Sequence, residues 1–208
     1  MLGIKAVFLD RDGTLSMDVG YPRFWSDFKP FPWTLSALKI LLNKGYQLFL
    51  ITNQSGIARG YFTLSEARQL NRLILEYFNT EGINFTDYRM CPHHPKGLVP
   101  EFTLDCDCRK PKPGMILQLA QRYGIALSQS YMVGDKITDI QAGKAAGTQI
   151  ALLTCHSIEE YQKRKQAGFS PKTEEERLEI LREFGEKPAP LAENEFFSLL
   201  EFAQSVPG

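Results

Sequence analysis

No stretch of this sequence is both apolar and long enough to span a bilayer, and the N-terminus lacks the charged region and apolar core of a secretion signal. The chain is therefore expected in the cytoplasm, without a membrane partner. Neither sign of charge is in excess, since Lys plus Arg and Asp plus Glu number 24 each. Binding to a nucleic-acid backbone needs a concentrated surplus of Lys and Arg, so no nucleic-acid partner is expected. Any anion must be bound by a local arrangement. Cysteine is sparse, four in 208 residues, and in a reducing compartment such thiols serve as metal ligands or buried apolar groups rather than disulfides. Internal repeats and low-complexity tracts are also missing.

What is present fits one core. With 43% hydrophobic residues over 208 positions the chain reads as a single domain. Short apolar runs at 5–10, 46–52, 131–134 and 149–153 have the form of strands buried on both faces of a parallel sheet, and a weaker fifth lies at 86–90. Helix-like segments at 32–43, 65–78, 114–123 and 139–146 separate them. Glycines such as Gly124 and Gly147 mark helix ends, and Thr63 followed by Glu66 offers a capping box. This alternation predicts a doubly wound parallel α/β sheet, whose ligand site lies outside the carboxyl ends of its strands. A charge-rich segment, 157–190, breaks the pattern before a terminal amphipathic segment at 193–203.

Polar residues at the strand ends carry the chemistry. Asp10-Arg-Asp-Gly-Thr14 places two carboxylates, Asp10 and Asp12, in a tight turn, where one can be a nucleophile while the other manages the leaving-group proton. Gly13 lets the backbone approach a phosphate. Thr52-Asn-Gln-Ser-Gly56 supplies hydroxyl and amide donors for phosphoryl oxygens. Arg109 and Lys110 pair a fork donor with a point cation, as a dianionic phosphate monoester requires. Gly134-Asp-Lys-Ile-Thr-Asp139 sets a carboxylate where a magnesium ligand or a helix N-cap would stand.

A second constellation is metallic. Cys91, His93, Cys106 and Cys108, with twelve residues between His93 and Cys106, supply three thiolates and an imidazole. That is a closed tetrahedral zinc set with no position left for water, hence a structural site. His94 reads as a solvated neighbour, and Cys155-His156 as packing plus a surface imidazole.

Taken together, the four strand-end motifs resemble those of the haloacid dehalogenase (HAD) superfamily of phosphohydrolases, which implies a Rossmann-like core. By that resemblance Asp10 is the nucleophile and Asp12 the general acid and base, and Thr52 and Lys110 hold the transferring phosphoryl group. Magnesium would be bound by the Asp10 carboxylate, the Asp12 backbone carbonyl and Asp135, with Asp139 supporting the loop. No insertion between these motifs is large enough for a separate cap domain, so a minimal cap is expected.

With the zinc loop, Asp10-Arg-Asp-Gly-Thr14, Thr52-Asn-Gln-Ser-Gly-Ile-Ala-Arg-Gly-Tyr61 and Cys108-Arg-Lys-Pro-Lys-Pro-Gly114 are similar to those of the D-glycero-D-manno-heptose 1,7-bisphosphate 7-phosphatase family. That family supplies heptose for lipopolysaccharide and other surface glycans. The resemblance implies substrate contacts from Asp18, Val19, Gly20, Tyr21, Asn53, Gln54, Ser55, Arg109 and Lys136. The related histidinol-phosphate phosphatases share the zinc pattern but prefer an Asp where Ser55 stands here. A polynucleotide 3'-phosphatase-like enzyme is a further alternative, disfavoured by the balanced charge, and a non-catalytic zinc scaffold a third, disfavoured because Asp10, Asp12, Thr52, Lys110 and Asp135 are all present. The aromatic, Pro-rich stretch 24–33 and the segment 157–190 depart from the family. The segment follows a strand end on the catalytic face and is expected to shield the substrate entrance, to mediate self-association, or to be a solvated excursion. A monomer acting on a small phosphorylated sugar is expected, with self-association open.

Overall fold

The computed structural model describes residues 3–166 and 194–208. Its sheet has six strands: β1 (Ala6–Leu9), β2 (Gln47–Asn53), β3 (Phe85–Cys91), β4 (Tyr131–Gly134), β5 (Gln149–Leu153) and β6 (Glu195–Phe196). They lie in the order β3-β2-β1-β4-β5-β6, and every pairing is parallel. Parallel neighbours need crossovers, and α1 (Thr34–Asn43), α2 (Leu64–Thr80), α3 (Gly114–Tyr123) and α4 (Ile137–Ala146) provide them. α5 (Ile158–Gln166) follows β5, and α6 (Leu199–Ser205) follows β6.

Alternation along the strands divides the apolar residues between two faces. Val7, Leu9, Leu48, Leu50 and Val133 pack with Leu38 and Leu41 of α1, Leu70 and Ile74 of α2, and Phe202 of α6. Phe8, Phe49, Ile51 and Met132 pack on the other face with Ile116 and Leu119 of α3 and Ala142 of α4. A doubly wound sheet follows, because strands that are apolar on both sides must be covered on both sides. Each fully buried Leu or Phe adds about 1.5–3 kcal/mol to that covering.

The helices begin and end where local chemistry dictates. Thr63 Oγ1 accepts from the Glu66 N–H, and Glu66 Oε2 accepts from the Thr63 N–H at 2.7 Å, so the capping box forms as expected. Arg23 also forks onto Glu66 Oε1, tying the loop before α1 to the start of α2. α3 ends at Gly124, which takes the left-handed conformation a chiral residue resists.

Two elements differ from the sequence reading. β6 was not expected: the segment 193–203 contributes a two-residue strand before its helix, and two residues are too short for any alternation to show. β3 runs from Phe85 to Cys91, longer than the expected 86–90; as an edge strand it is largely half-buried, which weakens its apolar signature. Of the charge-rich segment 157–190, α5 is described; its remainder, and with it any cover over the substrate entrance, lies outside the described residues.

Strand order reverses between β1 and β4, so the switch-point crevice opens beyond Leu9 and Gly134.

Candidate active site

Asp10 leaves β1 with its N–H donating to the Val133 carbonyl at 3.0 Å, which fixes its carboxylate at the mouth of the switch point. Lys110 Nζ stands 2.7 Å from Asp10 Oδ1 and 2.6 Å from Asp139 Oδ1, and donates to the Ile51 carbonyl at 3.0 Å. All three side chains are buried. Burial alone would drive Lys110 toward its neutral form, but Asp10 and Asp139 outweigh it and hold the ammonium above its ordinary range. Burial, reinforced by Asp139, pushes the Asp10 carboxyl up against the pull of Lys110.

Asp135 follows β4 and meets Gly13 across the crevice. Gly13 has φ +86°, and a Cβ there would run into the Asp135 carboxylate, so only glycine fits. Asp135 Oδ1 is buried without a hydrogen-bond partner, and burial together with the Asp10 charge raises the carboxyl to about 8. Leaving such an oxygen unpaired costs roughly 1–3 kcal/mol. Asp10, Asp135 and Asp139 each present an oxygen within 4.8 Å of the others. Three clustered carboxylates, two of them paired to one buried ammonium and the third with an orphaned oxygen, suit a hard divalent cation.

Asp12 is bracketed. Arg11 Nε donates to its Oδ1 at 2.9 Å and Nη2 to its Oδ2 at 2.8 Å, and Gln54 Nε2 donates to Oδ2 at 3.0 Å. Gln54 Nε2 also lies 2.9 Å from Thr52 Oγ1, so the second strand's polar end is tied to the first. Asn53 grips the Lys110 backbone.

Asp10, Asp12, Thr52, Asn53, Gln54, Lys110 and Asp139 line a cavity of about 390 Å³ whose wall also includes Asp18, Gly20, Tyr21, Ser55, Arg109, Lys136 and Thr138, while Asp135 lies off that wall. Asp18 Oδ2 pairs with Lys136 Nζ at 2.8 Å, and Asp18 Oδ1 accepts from the Gly20 N–H at 2.8 Å. Burial opposes ionisation of Asp18, but those two donors keep its carboxyl below the usual range. Tyr21 is exposed and packs edge-on to Tyr61, ring centres 4.7 Å apart. Val19 is exposed and lies off the cavity wall, unlike Asp18, Gly20 and Tyr21.

Cys91 at the end of β3, His93, Cys106 and Cys108 converge beside this cavity. Neighbouring donor atoms lie 3.6 Å (Cys91–Cys106), 3.3 Å (Cys106–Cys108), 3.3 Å (His93 Nδ1–Cys108) and 3.8 Å (Cys91–His93 Nδ1) apart. A tetrahedron of ligands about 2.0–2.3 Å from zinc has edges of about 3.3–3.8 Å, so the cluster could bind zinc.

His94, expected as a solvated neighbour, is instead half-buried, its Nε2 3.2 Å from Arg59 Nη2 and its Nδ1 accepting from the Lys96 N–H. The Leu98 and Val99 N–H groups donate to the Ala58 carbonyl, which brings this loop beside Arg59 and its contact with the ring. Cys155 is buried and His156 exposed, as expected. The sequence reading gave no role to Arg11, Asn71 or Thr138. Thr138 sits inside the quoted fourth motif, and that placement was the available signal.

A parallel sheet with a carboxylate-rich switch point and a buried lysine defines a phosphatase of the HAD class, and comparison with known proteins agrees. The HAD-hydrolase-like family model matches residues 107–173. The chain is 46% identical over 142 residues to D-glycero-beta-D-manno-heptose-1,7-bisphosphate 7-phosphatase of Pasteurella multocida, covering 68% of this chain and 77% of that protein. It is 42% identical over 144 residues to D-glycero-alpha-D-manno-heptose-1,7-bisphosphate 7-phosphatase of Photorhabdus laumondii, covering 69% and 79%. The crystal structure of D,D-heptose 1,7-bisphosphate phosphatase from B. bronchiseptica, complexed with magnesium and phosphate, superposes with a TM-score of 0.70 at 26% identity over 97% of both chains. The chain belongs to the heptose-1,7-bisphosphate 7-phosphatase family of HAD phosphatases. It is a phosphoric monoester hydrolase. Among the described residues no helix is long and apolar enough to cross a membrane.

Proposed function

We propose that this enzyme removes the 7-phosphate of a D-glycero-D-manno-heptose 1,7-bisphosphate through an aspartyl-phosphate on Asp10, a step toward lipopolysaccharide heptose. The single observation carrying this reading is the buried Asp10 carboxylate at the switch-point crevice, paired to the Lys110 ammonium and grouped with Asp135 and Asp139 so that one oxygen of each lies within 4.8 Å of the others. Relatives that act on this substrate, as either anomer, cover most of their own length with this chain.

In this reading an Asp10 oxygen attacks phosphorus in line while the bond from phosphorus to the ester oxygen breaks. Asp12 gives its proton to the departing alkoxide. Water then attacks the acyl phosphate, surrendering a proton to Asp12, and Asp10 is restored with inorganic phosphate released. Lys110 and Thr52 hold the phosphoryl oxygens, and Asn53, Gln54 and Ser55 complete that wall. Magnesium, held by the Asp10 and Asp135 carboxylates and the Asp12 backbone carbonyl, would neutralise charge on those oxygens. Arg109, Lys136 and the loop from Asp18 to Tyr21, Val19 included, read the far end of the sugar. Cys91, His93, Cys106 and Cys108 would hold zinc, which would brace the loop that presents Arg109 and Lys110.

The test is phosphate release with magnesium from both heptose bisphosphate anomers, histidinol phosphate and a 3'-phosphorylated oligonucleotide. One heptose anomer should lead in kcat/KM. Faster turnover of histidinol phosphate or the oligonucleotide would overturn the substrate assignment while leaving the phosphatase class intact.

A further inference from the structure

Arg11 is the largest fully buried side chain that is also charged, 1% exposed, and the reaction steps above give it no task. A buried guanidinium is tolerated only with its donors satisfied. Arg11 spends Nε and Nη2 on the two oxygens of Asp12, and its Nη1 donates to Asn71 Oδ1 at 2.7 Å. Asn71 is itself fully buried, a polar residue in the otherwise apolar stripe Ala67, Leu70, Ile74, Phe78 that α2 turns to the sheet. Its Nδ2 lies 3.3 Å from Met90 Sδ near the end of β3. The α2 helix thus reaches across 60 residues of sequence to aim one side chain.

The arrangement sorts the two oxygens of Asp12. Each carboxylate oxygen accepts about two hydrogen bonds. Oδ2 takes one from Arg11 and one from Gln54, so it is filled. Oδ1 takes only the Arg11 Nε bond and keeps one lone pair open, and Asp12 lines the cavity.

We propose that Arg11, held by Asn71, is the positioning residue for Asp12, locking the carboxylate so that Oδ1 is the oxygen that gives and takes the proton. The inference rests on the reading of Asp12 as general acid and base. Arg11 is not on the cavity wall where substrate would sit, and its only link to the reaction is through Asp12. It acts by holding Asp12, and a fork is needed because a single donor leaves the carboxylate free to rotate. In the first step the bond from phosphorus to the leaving oxygen breaks, the Asp10–phosphorus bond forms, and the Oδ1 proton goes to the leaving oxygen. In the second, water gives its proton back to Oδ1.

A leaving group that departs as a stable anion needs no proton, so positioning of the acid is read from the dependence on leaving group. The full chain with magnesium is assayed on a sugar or alkyl phosphate and on nitrophenyl phosphate, comparing kcat/KM, which reports the step that expels the leaving group. Arg11→Lys keeps the charge but loses the fork. Asn71→Asp keeps the acceptor and draws the guanidinium away from Asp12. Either should lower kcat/KM for the alkyl phosphate about 10- to 100-fold while nitrophenyl phosphate changes by less than about threefold. Melting curves establish that each variant is folded, and Asn71→Asp carries the test if Arg11→Lys is not. Asp12→Asn is the reference and should show the same split, larger. If Asp12→Asn splits the substrates while both positioning variants lose them equally or not at all, the inference is overturned and the Asp12 reading stands. If Asp12→Asn shows no split, both fall.

Discussion

Asn53 holds the main chain of Lys110 from both sides: its Nδ2 donates to the Lys110 carbonyl at 3.0 Å, and its Oδ1 accepts from the Lys110 N–H at 3.1 Å. Both polar atoms of a residue on the cavity wall are thus spent on a neighbour whose ammonium touches Asp10. Asn53→Leu should lower stability by about 1–3 kcal/mol, the worth of two hydrogen bonds. It should also lower kcat/KM about 10- to 100-fold by shifting Lys110. In a Lys110→Met background the kinetic effect should shrink to within about threefold, because coupled residues are not additive. Steady-state kinetics of the double-mutant cycle check this; additive losses would mean that Asn53 acts on substrate directly.

The cysteine-histidine cluster leads to a compositional prediction. Protein prepared without chelator should carry about one zinc per chain, as a closed four-ligand site requires. Cys106→Ser should lose the metal and melt at a lower temperature, with kcat affected less than stability. Elemental analysis and melting curves provide the measurement, and metal-free wild-type protein would remove the claim.

Asp135 gives a pH dependence with a definite sign. Its carboxyl lies at about 8 in the folded, metal-free protein against an ordinary value of 3.8. A group raised on folding contributes stability that is complete below its unfolded value and is lost as pH rises through the folded value, here across roughly pH 4 to 8. Magnesium must displace that proton, so its affinity should strengthen from pH 6 to pH 8 and its binding should release protons. Calorimetry in buffers of different ionisation enthalpy, with melting curves at both pH values, checks the sign. Tighter binding at pH 6 would contradict it.

The strand-end residues were legible because parallel strands announce themselves as apolar runs and whatever polar residue follows them must face the crevice. Asp10, Thr52 and Asp135 are placed by that rule alone. Lys110 and the metal-ligand spacing needed motif chemistry as well. Arg11 was not legible, since a residue between two aspartates in a turn reads as solvated. Its burial is decided by Asn71 on α2, a contact that no local pattern encodes. His94 escaped for the same reason, its ring being drawn in by Arg59 from another loop.

The central claim is a covalent phosphoryl group on Asp10, and trapping tests it most directly. Enzyme quenched in acid during turnover and reduced with borohydride should yield homoserine at position 10, located by peptide mass, while Asp10→Asn should give neither label nor turnover. Labelling at another residue, or an Asp10→Asn protein that retains appreciable turnover free of contaminating phosphatase, would contradict it.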